Sequence, residues 1–200
     1  MTKDNNKSLP FTLAFRIPSS FRRYISTCNR KIIGVCRSLE PLDTAHLTVK
    51  FLGHSSEFLN ENTITNYIPK IFAISRKYVP LTLRIRGFST FSYEEKGSTV
   101  IYLKVMPNEK LLAFHNEICE SFKDAFISFP HAEGENFEPH ITLSKNLLPN
   151  KEKQIERIVA RSKKSARRIL RLEDLVILSP NRMYPITKNI TSPLICPPVK

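Results

Sequence analysis

The chain contains no tryptophan, and only four of its 200 residues are cysteine. Cys28, Cys36, Cys119 and Cys196 form no paired motif, and no spacing of cysteine and histidine resembles a zinc-binding cage. No apolar run approaches the roughly 20 residues that a membrane-spanning helix needs. These absences argue against a disulfide framework, a zinc-stabilised fold and a transmembrane protein, and they favour a reduced, intracellular setting.

The first seven residues lack the apolar segment of a secretion signal and the arginine-rich pattern of a transit peptide. We therefore expect a cytoplasmic protein that acts as a monomer; a basic cluster after residue 160 would also suit entry into the nucleus. We expect residues 1–10 to form a disordered tail and residues 11–190 a single bilobal domain, with halves at about 11–93 and 98–190. The proline-rich residues 191–200 would form a second tail.

Acidic residues are also scarce, because 18 Asp and Glu stand against 31 Lys and Arg, for a net charge of +13. This imbalance predicts a polyanionic partner such as RNA. Much of the charge lies in one late segment, where a solvated helix face is the alternative interpretation. The basic residues of that segment are Lys151, Lys153, Arg157, Arg161, Lys163, Lys164, Arg167, Arg168 and Arg171, and a smaller group comprises Arg22, Arg23, Arg30 and Lys31.

One pattern occurs twice: histidine, apolar residue, threonine, apolar residue, at residues 46–49 and 140–143. In an extended strand alternate side chains share a face, so each histidine lies beside the threonine two positions later. The apolar residues face the other way, which suits packing against helices. Each motif therefore predicts a strand with one buried apolar face and with an imidazole and a hydroxyl on the other face.

The sequence around the two motifs repeats the order strand, helix, motif strand, helix, strand. We therefore predict an α+β fold of two duplicated βαβαβ units related by a pseudo-two-fold axis, with mainly antiparallel sheets flanking a central cleft and helices outside. In the first half the elements are expected at 11–18, 19–31, 45–52, 61–77 and 79–91, with a serine cap at residue 19 or 20 and a kink or break at Pro69. In the second half they are expected at 99–105, from 107 onward, after Pro139, at 151–165 and at 172–178.

Two histidines that face one cleft form a general acid and a general base, since the unperturbed pKa of histidine is close to neutral pH. The threonine hydroxyls are suited to holding phosphate oxygens. The candidate catalytic residues are thus His46, Thr48, His140 and Thr142, and their chemistry fits phosphoryl transfer without a metal. For either motif alone, a structural histidine is the alternative.

The motifs and their surroundings resemble the 2H phosphoesterase superfamily, which carries two His-x-Thr/Ser motifs in two lobes. The similarity is greatest to the branch of RNA 2′,3′-cyclic phosphodiesterases, also called 2′-5′ RNA ligases. It extends over about residues 11–190 and rests on residues 45–53 and 139–145 together with 11–18 and 87–91.

The resemblance implies that an RNA or nucleotide with a 2′,3′-cyclic phosphate binds between the motifs, with Thr48 and Thr142 holding its oxygens. It implies that His140 activates water and His46 protonates the departing 3′ oxygen, which leaves a 2′-phosphate. The reverse reaction, with a 2′-hydroxyl in place of water, would ligate RNA ends through a 2′-5′ linkage. Neither a cofactor nor a metal is implied.

Further substrate-binding residues are expected around the motifs. Strict alternation places Lys50 and Ser144 on the same face as the preceding threonines, and Arg16 would add positive charge near the phosphate.

Aromatic residues are candidates for stacking on a base. Phe91 is the main one, with Phe88 and Tyr93 beside it, although core packing is an equal alternative for the two phenylalanines. Arg182 and Tyr184 follow a turn at residues 179–181 and are expected at the mouth of the cleft.

The segment before the first motif differs from the bacterial branch, since Arg37 and Pro41 stand in a rearranged stretch and tryptophan is missing. Substrate specificity therefore stays open between cyclic phosphates, 2′-5′ oligoadenylate and RNA 3′ ends. A nucleotide- or RNA-binding module with little turnover is the alternative of a different class.

Overall fold

The computed structural model describes residues 10–56, 59–93, 98–162, 168–179 and 181–187. The two predicted tails, apart from Pro10 in the first strand, lie outside these ranges. So do Lys163, Lys164 and Arg167 of the basic segment and the side chain of Tyr93. Within the described ranges, no helix is long and apolar enough to cross a membrane.

The described residues form strands and helices in nearly the order that the sequence predicts. The strands are β1 (Pro10–Arg16), β2 (His46–His54), β3 (Leu81–Tyr93), β4 (Ser98–Met106), β5 (His140–Ser144), β6 (Arg168–Leu172), β7 (Leu175–Leu178) and β8 (Met183–Pro185). The α-helices are α1 (Ser19–Ile32), α2 (Ile68–Ser75), α3 (Glu109–Ser121) and α4 (Glu152–Ser162). Short 3₁₀ helices occur at Ile64–Tyr67, Pro130–Ala132 and Gly134–Asn136.

The strands form two antiparallel four-stranded sheets, with the orders β2-β1-β7-β8 and β5-β4-β3-β6. We call them the first and the second sheet. The two motif strands, β2 and β5, are the edge strands of their sheets and lie next to each other. The predicted fold class is confirmed, because two antiparallel sheets meet at the strands that carry the histidines.

The sheets do not coincide with the two halves of the sequence. The third strand of each half pairs with the first strand of the other half, since β3 pairs with β4 and β7 pairs with β1. The strand expected at residues 172–178 is interrupted at Glu173 and Asp174, so that β6 stays in the second sheet and β7 enters the first. The lobes of the structure are therefore built by strand exchange between the halves.

Helices cover the sheet faces that carry the apolar residues. Phe114 of α3 contacts Phe15 of β1, with their ring centroids 5.9 Å apart. The helix α4 packs against β3, where the Ser162 hydroxyl accepts a hydrogen bond from the Phe88 N–H at 2.9 Å. Ile155 of α4 belongs to the same core as the apolar residues of both sheets. The basic helix therefore lies on the side of the second sheet opposite the motif histidine.

One local prediction, the serine cap, needs correction, and the predicted break of the second helix at Pro69 is confirmed. The residue before α1 is Pro18, and no side chain caps this helix, so the expected serine cap is wrong. The helix expected at 61–77 is divided into a 3₁₀ helix at Ile64–Tyr67 and α2, with Pro69 in the first turn of α2. Proline is tolerated there because the first turn has no intrahelical N–H partner to lose.

We expect Gly87→Ala to destabilise the protein, because Gly87 has a φ of +113° and an added Cβ would come within 2.8 Å of the Ser162 hydroxyl. The expected loss is roughly 1–3 kcal/mol in the free energy of unfolding, measured by urea denaturation. Gly34→Ala is the matched control, since a Cβ there meets no atom within 4 Å. Equal stability of the two variants would contradict this account of the contact between β3 and α4.

Candidate active site

The two motif histidines are held in the same way. The Nδ1 atom of His46 lies 2.9 Å from the carbonyl oxygen of Thr44, and that of His140 lies 2.8 Å from the carbonyl oxygen of Glu138. A carbonyl oxygen only accepts hydrogen bonds, so Nδ1 carries a proton in both rings. In each ring Nε2 is thus the nitrogen that remains for proton transfer.

The charge of His46 affects the protonation of His140. Burial lowers the pKa of His140 below its usual range; the carbonyl and carboxylate of Glu138 oppose this shift, and positive charge on His46 adds to it. Two aromatic rings flank His140, with centroid distances of 5.5 Å to Phe91 and 5.0 Å to Tyr102. Because the charged form is disfavoured, His140 is mainly neutral at neutral pH and its Nε2 lone pair can accept a proton.

The threonines share the histidine faces, as the strand register shows. In the first sheet Ala14 pairs with Thr48, and Arg16 pairs with His46. In the second sheet Tyr102 pairs with Thr142, and Lys104 pairs with His140. All four motif side chains are partly exposed. The structure therefore brings the two His-x-Thr pairs to neighbouring strands, and their catalytic roles remain a prediction.

The placement predicted for Lys50 and Ser144 is wrong. A register shift after Thr48 makes both Val49 and Lys50 oppose Leu13, and a matching shift after Thr142 brings Ser144 opposite Ile101. We interpret both shifts as β-bulges, which add one residue to a strand and turn the following side chain to the other face. Lys50 is 3% exposed and Ser144 is 0% exposed, so both point into the protein.

Lys50 forms a buried ion pair with Glu133 and donates a longer hydrogen bond, of 3.4 Å, to the carbonyl of Ile127. The Glu133 carboxylate also accepts from the backbone N–H of Phe129 and the hydroxyl of Ser128, each at 3.1 Å. Burial alone would raise the pKa of Glu133, but the hydrogen bonds from Lys50 and Phe129 hold it below its usual range. This pair anchors the loop that precedes β5 to strand β2.

His115 of α3 is a second link between the motif strands, and no sequence motif indicated it. Its Nδ1 donates to the carbonyl of Val49 at 2.8 Å, and its Nε2 accepts from the N–H of Gly134 at 3.3 Å. The ring stacks on Phe137 with centroids 3.8 Å apart. Burial lowers the pKa of His115, which fits this neutral form. A histidine on an apolar helix face was the only signal for such a role.

Arg16 lies on the same face as His46 and directly across from it in the register. Its guanidinium is 3.5 Å from the carboxylate of Asp174, in the turn between β6 and β7. Arg16 therefore adds a partly exposed positive charge beside the first motif, as the sequence predicts, but it already has a carboxylate partner.

The expectation that Tyr184 lies at the cleft mouth is wrong, and Arg182 shares the carboxylate partner of Tyr184. The Tyr184 hydroxyl bonds Glu61, and the guanidinium of Arg182 lies 3.1 Å from the same carboxylate. Tyr184 is in β8, the sheet edge farthest from β2, and it pairs with Ile177 on the face that carries Leu13. That face belongs to the core, because Tyr184 is 8% exposed.

Among the aromatic candidates whose side chains the structure describes, only Phe91 contacts a motif histidine. Phe88 is 4% exposed and lies across from Leu103 on the core face. Phe91 is partly exposed beside His140, so base stacking by Phe91 remains a prediction. In the described part of the chain, no group of three or more His, Cys, Asp or Glu side chains is arranged to hold a metal ion.

Comparison with known proteins adds a family and several similar folds. The sequence model of the 2′-5′ RNA ligase superfamily matches residues 35–182, which include both motifs. TT0787 of Thermus thermophilus aligns with a TM-score of 0.55 and 18% identity, covering 89% of this chain and 98% of that one.

Two further solved structures align over most of the chain. LigT of E. coli in its apo form aligns with a TM-score of 0.53 and 15% identity, covering 88% of this chain and 92% of its own. Usb1 of Kluyveromyces marxianus aligns with a TM-score of 0.55 and 11% identity, covering 90% and 98%. These likenesses show the fold. No curated protein matches the sequence at a significant level.

We expect Lys50→Ala to destabilise the protein by roughly 3 kcal/mol, because it leaves the Glu133 carboxylate enclosed without its cation. The measurement is the free energy of unfolding in urea. Lys145→Ala is the matched control: its ion pair with Glu40 is 3.4 Å long and the lysine side chain is 65% exposed, so the expected loss is below about 1 kcal/mol. Similar losses in the two variants would show that the Lys50–Glu133 pair does not anchor the loop.

Proposed function

Because this chain belongs to the 2′-5′ RNA ligase superfamily, the 2H phosphoesterases, we propose that it is a metal-independent phosphodiesterase. Its substrate is an RNA or nucleoside 2′,3′-cyclic phosphate, and its product is a 2′-phosphate. The observation that carries this proposal is that His46 and His140 form the same hydrogen bond. Each ring donates Nδ1–H to a carbonyl, and the two rings lie on neighbouring strands.

The reaction needs one histidine in each protonation state. Neutral His140 takes a proton from water through Nε2 while the water oxygen forms a bond to phosphorus. The bond from phosphorus to the 3′ oxygen breaks, and protonated His46 donates its Nε2 proton to that oxygen. The lowered pKa of His140 supports its assignment as the base, because the neutral form is already favoured before substrate binds.

The threonine hydroxyls of Thr48 and Thr142 donate hydrogen bonds to the phosphate oxygens, one from each sheet. A hydrogen bond to a charged group contributes about 1.5–3 kcal/mol. Arg16, opposite His46 in the register, adds positive charge near the same phosphate. The same groups serve the reverse direction, in which a 2′-hydroxyl replaces water and a 2′-5′ linkage forms.

Ligands of a protein with this fold are consistent with a nucleotide substrate. LigT of E. coli has been solved in complex with 3′-AMP and with NADP⁺, at TM-scores of 0.51 and 0.53 to this chain. Both ligands are nucleotides with phosphate groups. A nucleoside cyclic phosphate has the same parts, a base, a ribose and a phosphate.

We expect His46→Ala and His140→Ala each to lower kcat/KM for a nucleoside 2′,3′-cyclic phosphate by about 10²–10⁴-fold, because each removes a proton carrier. Thr48→Val and Thr142→Val should lower it by about 10–100-fold, since each removes one hydrogen bond. The assay is carried out in EDTA, and chromatography separates the 2′- from the 3′-phosphate product.

His131→Ala is the matched control, because this histidine is exposed in the 3₁₀ helix Pro130–Ala132. Its activity should equal that of the wild type. A 3′-phosphate product, or loss of turnover in EDTA, would refute the proposed reaction. Tight nucleotide binding with no turnover of any cyclic phosphate would instead indicate a binding module.

The dependence of kcat/KM on pH should be bell-shaped, with an acid limb below pH 6.5, about the usual pKa of histidine. As pH falls through the lowered pKa of His140, the base gains a proton and the rate declines.

Phe91→Ala admits water to the ring, so the pKa of His140 should rise and the acid limb should move to higher pH. Thr142→Val should lower the rate and leave the limb in place. If the acid limb of Phe91→Ala stays at the same pH as that of the wild type, the Phe91 ring does not shield His140 from water.

A further inference from the structure

The open face of the second sheet carries a row of cations that begins beside His140. We propose that this row, formed by Lys104, Arg86, Arg84 and Arg171 and called here the cationic track, binds the single-stranded RNA that leads to the cyclic phosphate. The inference rests on the proposed function and assigns its substrate class: an RNA end is preferred over a mononucleoside cyclic phosphate.

The strand register at the second motif places the first two residues of the track. Lys104 of β4 lies directly opposite His140 of β5. A register shift in β3 makes Arg86 an extra residue, so that Arg86 and Gly87 together oppose Lys104. Arg86 and Lys104 line one pocket with Ser89. Lys104 therefore adjoins His140, and Arg86 lies one strand farther from it on the same sheet face.

The track continues across the sheet on alternate residues. Arg84 pairs with Ile169 of β6, and Arg171 pairs with Thr82. Their neighbours Leu83 and Leu170 point to the core, so alternation turns both arginines to the open face. With strands about 4.8 Å apart, the distance from β5 to β6 is about 14 Å, enough for a few nucleotides.

The ion pairs of the track leave two guanidinium groups available for phosphate. Lys104 pairs with Glu138 at 2.5 Å and Arg171 pairs with Glu173 at 2.5 Å. For Arg84 and Arg86, no carboxylate of the described residues lies within 4 Å. Guanidinium groups bind phosphate oxygens in a bidentate manner. Ile169, which is 68% exposed between these cations, offers an apolar surface to a base.

This placement separates the track from the basic helix α4. Lys153, Arg157 and Arg161 are exposed on α4, but the helix packs on the core face of the second sheet. An RNA end that reaches His140 from that side would have to bend around the sheet edge. The track, in contrast, is continuous with the face that carries the histidine, so it fits the substrate better.

Two variants that each lose three positive charges test whether the track or α4 binds the RNA. The front variant combines Arg84→Gln, Arg86→Gln and Arg171→Gln, and the back variant combines Lys153→Gln, Arg157→Gln and Arg161→Gln. Each is assayed with a 10-nucleotide RNA ending in a 2′,3′-cyclic phosphate and with a mononucleoside 2′,3′-cyclic phosphate. We expect the front variant to raise KM for the RNA at least tenfold and to leave the mononucleoside reaction within twofold. The back variant should change neither.

Binding gives a second readout that needs no turnover. The probe is the same RNA with a 3′-phosphate, titrated by fluorescence anisotropy at several salt concentrations. Each cation that contacts single-stranded RNA contributes about 0.7 to the slope of log Kd against log salt, so loss of the Arg84 and Arg86 contacts in the front variant should reduce the slope by about 1.4. Thermal melting of both variants confirms that they are folded.

The outcomes distinguish the track from the reaction itself. If the wild type hydrolyses neither substrate, the proposed function fails, while the salt slope still tests the track. If the wild type hydrolyses the mononucleoside and the front variant binds RNA as the wild type does, the track is refuted. A larger effect in the back variant would also refute it and would assign RNA binding to α4.

Discussion

The site depends on one extra residue in each of two edge strands. After Thr48 and after Thr142 the register shifts, so the face that carries a histidine and a threonine ends there and the next polar side chain turns inward. In a regular strand Lys50 and Ser144 would have stood beside the threonines. The bulges therefore limit the polar groups that each motif presents, and they occur at the same place in the two motifs.

Because its side chain points into the protein, Lys50 has a structural role. Its buried pair with Glu133 and the hydrogen bonds of His115 to Val49 and Gly134 connect β2 to the loop that leads into β5. Glu138 at the end of that loop supplies the carbonyl that holds the Nδ1 proton of His140. One motif strand thus supports the histidine of the other through contacts within the core.

The distribution of charge shows how topology selects among residues of one type. The net charge of +13 indicates a polyanionic partner without saying where it binds. In the fold, α4 packs on the core face of the second sheet, whereas Arg84 and Arg86 lie on the face of His140. These two arginines are far from the densest basic segment of the sequence, so composition alone could not single them out.

The sequence by itself determined the element order, the two His-x-Thr pairs and the family, because the period of two in strands and the spacing of the motifs are local properties. It did not determine the exchange of β3 and β7 between the two halves of the sequence, the interruption at Glu173 and Asp174, or the positions of Lys50, Ser144, Arg182 and Tyr184. Those depend on which strands pair and where a register shifts. Only the tertiary structure decided them, since a bulge reverses the face of every residue that follows and one sequence pattern fits both registers.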